Sequence, residues 1–254
     1  MKPHRYFTLG LVLAFGFPWL VLVVGPYAAM RSIEPVPYGE SDFESAFAPE
    51  NSYFPPGRAG LVAQGHRVYA QEGCAYCHTQ VIRPTYAGRD RWRDGWTGRG
   101  PDWSGDEPPT EVRETTPRDY LGESYAFLGV QRIGPDLANA GWRITDEEAM
   151  HRHLYDPRSV HSWSVMPAFR HLYELRRRDG QGSDEALQLE GKLAPAEGYE
   201  VVPSAKAKAL MSYLRSLRKD YVLPGSGEPG SAAVEPATSG PAVPAEAAAG
   251  TAVP

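Results

Sequence analysis

Two thiols and an imidazole stand together in one pentapeptide, Cys74-Ala75-Tyr76-Cys77-His78, and the chain has no other cysteine. Two cysteines three positions apart on a tight turn can add to the two vinyl groups along one edge of a porphyrin. The next residue then projects its imidazole over the ring centre, where it can ligate iron. The spacing predicts one covalent haem c, attached through Cys74 and Cys77, with His78 as an iron ligand. The alternatives are a Cys74–Cys77 disulfide or a redox-active dithiol. A thioredoxin-type dithiol needs a βαβ setting that is absent here, and a thiolate zinc site needs more cysteines.

The second axial position decides between an electron carrier and a haem that binds small molecules, because Met/His ligation fills both faces. Of the five methionines, Met1 and Met30 lie at the terminus and the membrane edge, Met150 in an acidic helical stretch, and Met211 beside the stripe of the last helix. Met166 differs. It sits in Ser164-Val165-Met166-Pro167, which has no helical period, and Pro167 holds it in extended backbone. Met166 is therefore the expected sixth ligand, the alternative being a buried gap-filler. His66, His151, His153, His161 and His171 are expected to be polar or haem-edge residues. His151 and His153, two apart on a helix, point in different directions. Arg83 precedes a proline and is biased away from helix. Its planar fork suits a carboxylate, and the haem propionates are the nearest guaranteed ones, so Arg83 is expected to act on them or at a partner interface.

These residues need elements to hold them. Leu61, Gly65 and Val68 share one face of a helix expected over 60–72, which leads straight into the pentapeptide. Thr145 to Tyr155 reads as a helix with Asp146, Glu147 and Glu148 in its first turn, where they suit the dipole. Ala205 to Lys219 is the most amphipathic stretch, with Leu210, Leu214 and Leu217 inward, Tyr213 flanking, and Lys208, Arg215 and Lys219 expected to face water. Thr85 to Glu123 is dense in Gly, Pro, Trp and charge and reads as a long loop. Glu174 to Ser204 is charged and variable in character.

At the start, Tyr6 to Val24 carries no charge, and 19 residues span roughly 28 Å as a helix, close to a bilayer core. A cleaved signal peptide should have a shorter apolar core and a small-x-small site, so a retained single-pass anchor is expected. Lys2 and Arg5 precede it, while Glu34, Glu40, Asp42 and Glu44 follow, which places the N-terminus in the cytoplasm and the rest outside. The expected organisation is anchor 1–30, a Pro- and acid-rich tether 31–58, one mostly α haem domain 59–222 with an inserted loop near 85–123, and a disordered tail 223–254. The net charge of −5, without a basic stripe, argues against nucleic acid.

Gly73-Cys74-x-x-Cys77-His78-Thr79-Gln80-x-x-Arg83-Pro84 resembles the haem segment of the mono-haem subunit II of cbb3-type cytochrome c oxidases. Arg132-x-Gly134-Pro135-Asp136-Leu137, His153-Leu154-x-x-Pro157-Arg158, Ser164-x-Met166-Pro167 and the closing Ala209-Leu210-x-x-Tyr213-Leu214-x-x-Leu217 also match, as does the single anchor. The resemblance implies a cytochrome c-like domain with Cys74, Cys77, His78 and Met166 holding the haem. It implies that the Pro135 carbonyl accepts a hydrogen bond from His78, and that Gly65 lies where the first and last helices cross, near Tyr213. It further implies a non-catalytic electron-transfer subunit in the bacterial inner membrane. Such a subunit takes electrons from a donor such as a cytochrome c, sits beside a further cytochrome c subunit, and serves the haem–copper catalytic subunit. The anchored cytochrome of nitric oxide reductase, or a free-standing carrier, is the nearest alternative; a haem enzyme or gas sensor with an open sixth position is the more distant one. Two departures stand out: Phe127-Leu128-Gly129-Val130-Gln131 where the family usually shows a Trp-Gly-Ser-Lys run, and Asp156 where it usually shows asparagine.

Overall fold

The N-terminal apolar run forms one continuous helix, in three stretches. α1 spans Pro3–Trp19, a π-helical turn follows at Leu20–Val24, and α2 spans Gly25–Met30. A proline inside a helix lacks an N–H and crowds the preceding turn, and single-turn π segments are one way a helix absorbs such a fault. Pro18 stands just before the turn, whose end is marked by the bond from Gly25 N–H to the Leu20 carbonyl. His4–Met30 is long and apolar enough to cross a membrane, at 27 residues with a mean hydropathy of 2.3. The helix runs six residues past Val24. Pro26 lies in the first turn of α2, where its missing N–H is harmless.

In this computed structural model the described residues are 3–33, 36–37, 53–55, 57–88, 90, 113–123, 126–178 and 180–219. The tail expected over 223–254, most of the tether and residues 91–112 of the expected loop lie outside them. Within the tether, β1 (Val36–Pro37) pairs antiparallel with β2 (Tyr53–Phe54), so the stretch is not wholly without structure.

Beyond the anchor, short helices alternate with irregular segments among the described residues. α3 (Gly60–Gln71) packs against α7 (Ala205–Ser216), and this crossing is the main helix contact. Gly65 sits at the crossing: a Cβ there would lie 1.8 Å from the Ala209 carbonyl oxygen and 2.6 Å from the Tyr213 Cβ. Tyr69 and Tyr213, both fully buried, meet edge to face beside it with ring centroids 5.3 Å apart. α4 (Ala140–Arg143) closes on the end of α7, where Gly141 donates to the Leu217 carbonyl at 3.0 Å. α5 (Glu147–Tyr155) begins at Asp146, whose carboxylate accepts from Ala149 N–H. Asp156 ends α5 and in turn caps α6 (Pro157–Val160).

One stretch gains an element, and one expectation needs correction. Glu174 to Ser204 holds a hairpin-like sheet: β3 (Tyr173–Arg177) pairs antiparallel with β4 (Tyr199–Pro203), Leu175 opposite Val201. Val201 and Val202 are buried, so β4 is a core strand, but the charged outer face of β3 hides its period in the sequence. Lys219 does not face water. α7 stops at Ser216, the chain turns inward, and the Lys219 ammonium reaches the Asp119 carbonyl at 3.2 Å over the Tyr120 ring. Burial lowers its pKa.

Replacing Gly65 by alanine tests the crossing. Backbone cannot yield as a side-chain tip can, so G65A is expected to cost about 1–3 kcal/mol or more. The check is the urea midpoint of the far-UV circular dichroism signal, which should fall.

Candidate cofactor site

The C-terminal end of α3 delivers the pentapeptide. Gly73, in the left-handed region at φ 72°, breaks the helix, and Cys74–Tyr76 form a single 3-10 turn that brings His78 N–H back to the Cys74 carbonyl at 3.0 Å. Both cysteines are half-buried free thiols on this turn. Burial, aided by the Glu72 carboxylate, pushes the Cys74 thiol up to about 12, which keeps it uncharged. Burial also lowers the pKa of His78, favouring the neutral imidazole that can bind a metal.

A loop at 127–137 clamps this turn along its length. Val130 N–H donates to the Ala75 carbonyl at 3.0 Å, Gly134 N–H to Cys77 at 3.0 Å, and Leu137 N–H to Thr79 at 2.7 Å. The Pro135 carbonyl accepts from His78 Nδ1 at 2.8 Å. That bond sets the tautomer and leaves Nε2 as the lone-pair nitrogen, the arrangement seen when a ring ligates a metal. Gly134 is required by this closeness, since a Cβ on it would lie 2.2 Å from His78 Cε1. Gly129, at φ +91°, turns the loop against the backbone of His78 and Thr79.

Residues 79–83 continue as an extended strand-like path with its polar groups taken up one by one. The Thr79 hydroxyl donates to buried Asp136 at 2.5 Å, and Val81 N–H donates to the same carboxylate oxygen at 2.9 Å. The Gln80 amide meets the Tyr213 hydroxyl at 3.0 Å, tying the path to α7. Tyr120 donates to the Gln80 carbonyl at 2.7 Å. Asp119 below it is fully buried and held by Arg113 at 2.5 Å and 2.8 Å. None of these partners could be paired from the sequence, although Thr79, Gln80 and Asp136 all belong to its matched motifs.

Arg83 has a partner within the chain. Its backbone N–H and its guanidinium both donate to Asp90, at 2.9 Å from N, 3.1 Å from Nε and 2.9 Å from Nη2. Arg132 takes the same carboxylate at 2.7 Å and also donates to the Val81 carbonyl at 2.6 Å. The fork expected to meet a propionate or a partner thus meets a carboxylate of this chain, with the Arg83 side chain still half-exposed. The signal missed in the sequence was Asp90 itself, seven residues on. Burial opposes ionisation of Asp90, but the hydrogen bonds from Arg83 and Arg132 outweigh it and hold the carboxyl down to about 2.

Met166 lies on the segment after α6, half-buried against the same apolar core that receives Cys74 and Ala75. Its N–H donates to Ser164 Oγ at 3.2 Å, and Arg158 Nε holds the Ser164 carbonyl at 3.1 Å. His153, on α5, is half-buried. Burial lowers its pKa, with His161 and His78 adding to the effect, and its ring lies 5.9 Å from that of His161. His151, by contrast, faces the β3 side, where its Nδ1 lies 3.0 Å from the Tyr173 hydroxyl. Large apolar side chains stand exposed on both flanking segments: Val130 and Ile133 near His78, Trp163 and Val165 around Met166. Paired thiols, an oriented imidazole and exposed apolar side chains on both flanking segments fit the chemistry of a haem.

The family model for the cytochrome c oxidase mono-haem subunit, FixO, matches residues 122–212. No curated protein matches the chain closely. The matched span holds the loop that clamps His78, the Met166 segment and most of α7, and it supports the resemblance to the mono-haem subunit of cbb3-type oxidases.

Asp90 offers a test of the clamp by pH. Its folded pKa is depressed, so its contribution is fully present above the unfolded value near 4 and is lost as pH falls toward about 2. It is worth about 1–2 kcal/mol. In Asp90→Asn, urea midpoints at neutral pH should fall, and the loss of stability between about pH 5 and about pH 2 should be shallower than in the parent.

Proposed function

We propose that this chain is a membrane-anchored electron-transfer subunit of a terminal oxidase, carrying one covalent haem c in a cytochrome c-like domain. The observation that carries the reading is the His78 Nδ1–Pro135 carbonyl bond directly behind two thiols on one turn. The family match supports the mono-haem count and the oxidase assignment. Cys74 and Cys77 would form the thioether links, and His78 and Met166 would be the axial ligands. The haem, when bound, supplies a one-electron couple at iron.

The chain's own residues do the rest. Pro135 keeps His78 in one orientation and raises the basicity of its other nitrogen. The exposed apolar side chains Val130, Ile133, Trp163 and Val165 would pack on the haem and exclude water from it, which would disfavour the extra charge of the oxidised form. With His78 and Met166 both holding the iron, the haem would relay electrons and leave oxygen reduction to a partner subunit. The helix ending at Met30 would anchor it once in a bacterial inner membrane, N-terminus in the cytoplasm and haem domain outside. Its partners would be a haem–copper catalytic subunit and a further cytochrome c subunit, with a cytochrome c or similar donor upstream.

Acid–acetone extraction should leave the haem on the polypeptide, at one iron per chain; colour passing into the organic layer refutes covalent attachment. Met166→Leu should keep the haem attached yet let carbon monoxide bind the reduced protein. It should also lower the potential, within an axial-ligand range of about 0.8 V across haem proteins. An unchanged spectrum and potential would mean another residue is the ligand.

A further inference from the structure

The segment that carries Met166 is free of regular structure between Val160 and Arg170, yet both ends are tied by charge. Arg170 and His171, the two residues at its far end, reach in different directions. The Arg170 guanidinium donates to Asp156, which lies between α5 and α6 at the near end of the segment, and stacks over the Tyr155 ring at 5.4 Å. His171 Nε2 lies 2.7 Å from the Glu72 carboxylate, two residues before Cys74. One dipeptide thus closes the methionine segment on itself and ties it to the turn bearing the thiols.

Asp156 is the residue that departs from the asparagine usual at its position. It does what either residue could do as a cap, accepting from Arg158 N–H through Oδ1 at 3.2 Å. Its second oxygen takes Arg170, and only the aspartate brings a charge to that contact. The Asp156 side chain is 17 % exposed and that of Arg170 52 %, so the acid is partly shielded while the guanidinium lies at the surface. Arg158, whose N–H Asp156 caps, is also the residue that grips the Ser164 carbonyl two positions before Met166.

We propose that Asp156–Arg170 and Glu72–His171 form a clasp whose role is to hold the Met166 thioether in place as axial ligand, with Asp156, Arg170, His171 and Glu72 as positioning residues. The inference rests on the reading of Met166 as the ligand. A segment without helix or strand has little to oppose its opening, and loops of this kind open locally well below the cost of global unfolding. Tying its two ends together, and one end to the thiol turn, reduces the freedom gained on opening.

The test uses the full haem-loaded chain in detergent, with Asp156→Asn, Arg170→Gln, Glu72→Gln, the Asp156→Asn/Arg170→Gln double variant, and Met166→Leu as reference. Two signals are followed in urea: the weak sulfur-to-iron absorption of the oxidised protein and the far-UV helical signal. The clasp requires each single variant to lose the sulfur band at lower urea while the helical midpoint stays near the parent. Carbon monoxide should bind the reduced variants roughly two- to five-fold faster. The double variant should do no more than either of its singles. If the band and the helical signal shift together, if the two mutations add, or if neither band nor rate moves, the clasp is wrong. Met166→Leu separates the two readings. Loss of the band there upholds Met166 as ligand whatever the clasp variants do, and its retention overturns both.

Discussion

At Gly65 the backbone of α3 comes so near the Ala209 carbonyl that no side chain fits between them. Everything at the site is placed by that contact. It sets where α3 ends, hence where the Cys74 turn begins, and it buries Tyr69 and Tyr213 face to edge against the same core. Tyr213 then reaches out of α7 to the Gln80 amide, so the strand-like exit from His78 is held by the helix that the crossing positions. Shift the crossing and the thiols, the imidazole and their exit path all move together.

The site is built chiefly from backbone. From Ala75 to Leu137 the pentapeptide and the 127–137 loop exchange N–H and carbonyl groups in register, and the decisive acceptor is the carbonyl of Pro135. Side chains enter as supports. Asp136 gathers the Thr79 hydroxyl and two amides, and Asp90 gathers two arginines. Buried carboxylates like these are costly unless hydrogen-bonded, and both oxygens of Asp90, Asp119 and Asp136 accept at least one bond, although burial still raises the pKa of Asp136. Arg113–Asp119 and Lys219 form a similar knot beneath Tyr120. Such a knot contributes less net stability than its short contacts suggest, because both charges lose water. Removing one partner would leave the other exposed to the full cost of burial.

The run Thr79-Gln80-x-x-Arg83-Pro84 can now be read in physical terms. Thr79 supplies a hydroxyl to Asp136, Gln80 an amide to Tyr213, and Arg83 a fork to Asp90, so the run is a spine that carries the chain away from the ligand turn. Its specificity in sequence reflects two partners far along the chain, Asp136 and Tyr213, and a nearer one, Asp90. The departures from the family at 127–131 divide: Phe127 is buried in the core against Tyr69, while Leu128 and Val130 stand exposed and Val130 N–H donates to the Ala75 carbonyl.

Local chemistry is what the sequence by itself determined. The thiol spacing, the helical periods of α3, α5 and α7, the acidic start of α5 and the apolar run of the anchor depend on residues within one or two turns of each other, and periodicity or composition exposes them directly. Whatever depends on partners distant along the chain was decided only by tertiary structure. Arg83 could be seen to need a carboxylate, but that Asp90 supplies it follows from how the chain folds back. Lys219 looked like a surface cation because the helical period was carried three residues past the true end of α7, and only the packed knot with Asp119 and Tyr120 shows it buried. β3 and β4 were hidden because a strand's evidence lies in its neighbour: Leu175 means little until Val201 is set beside it, 26 residues away.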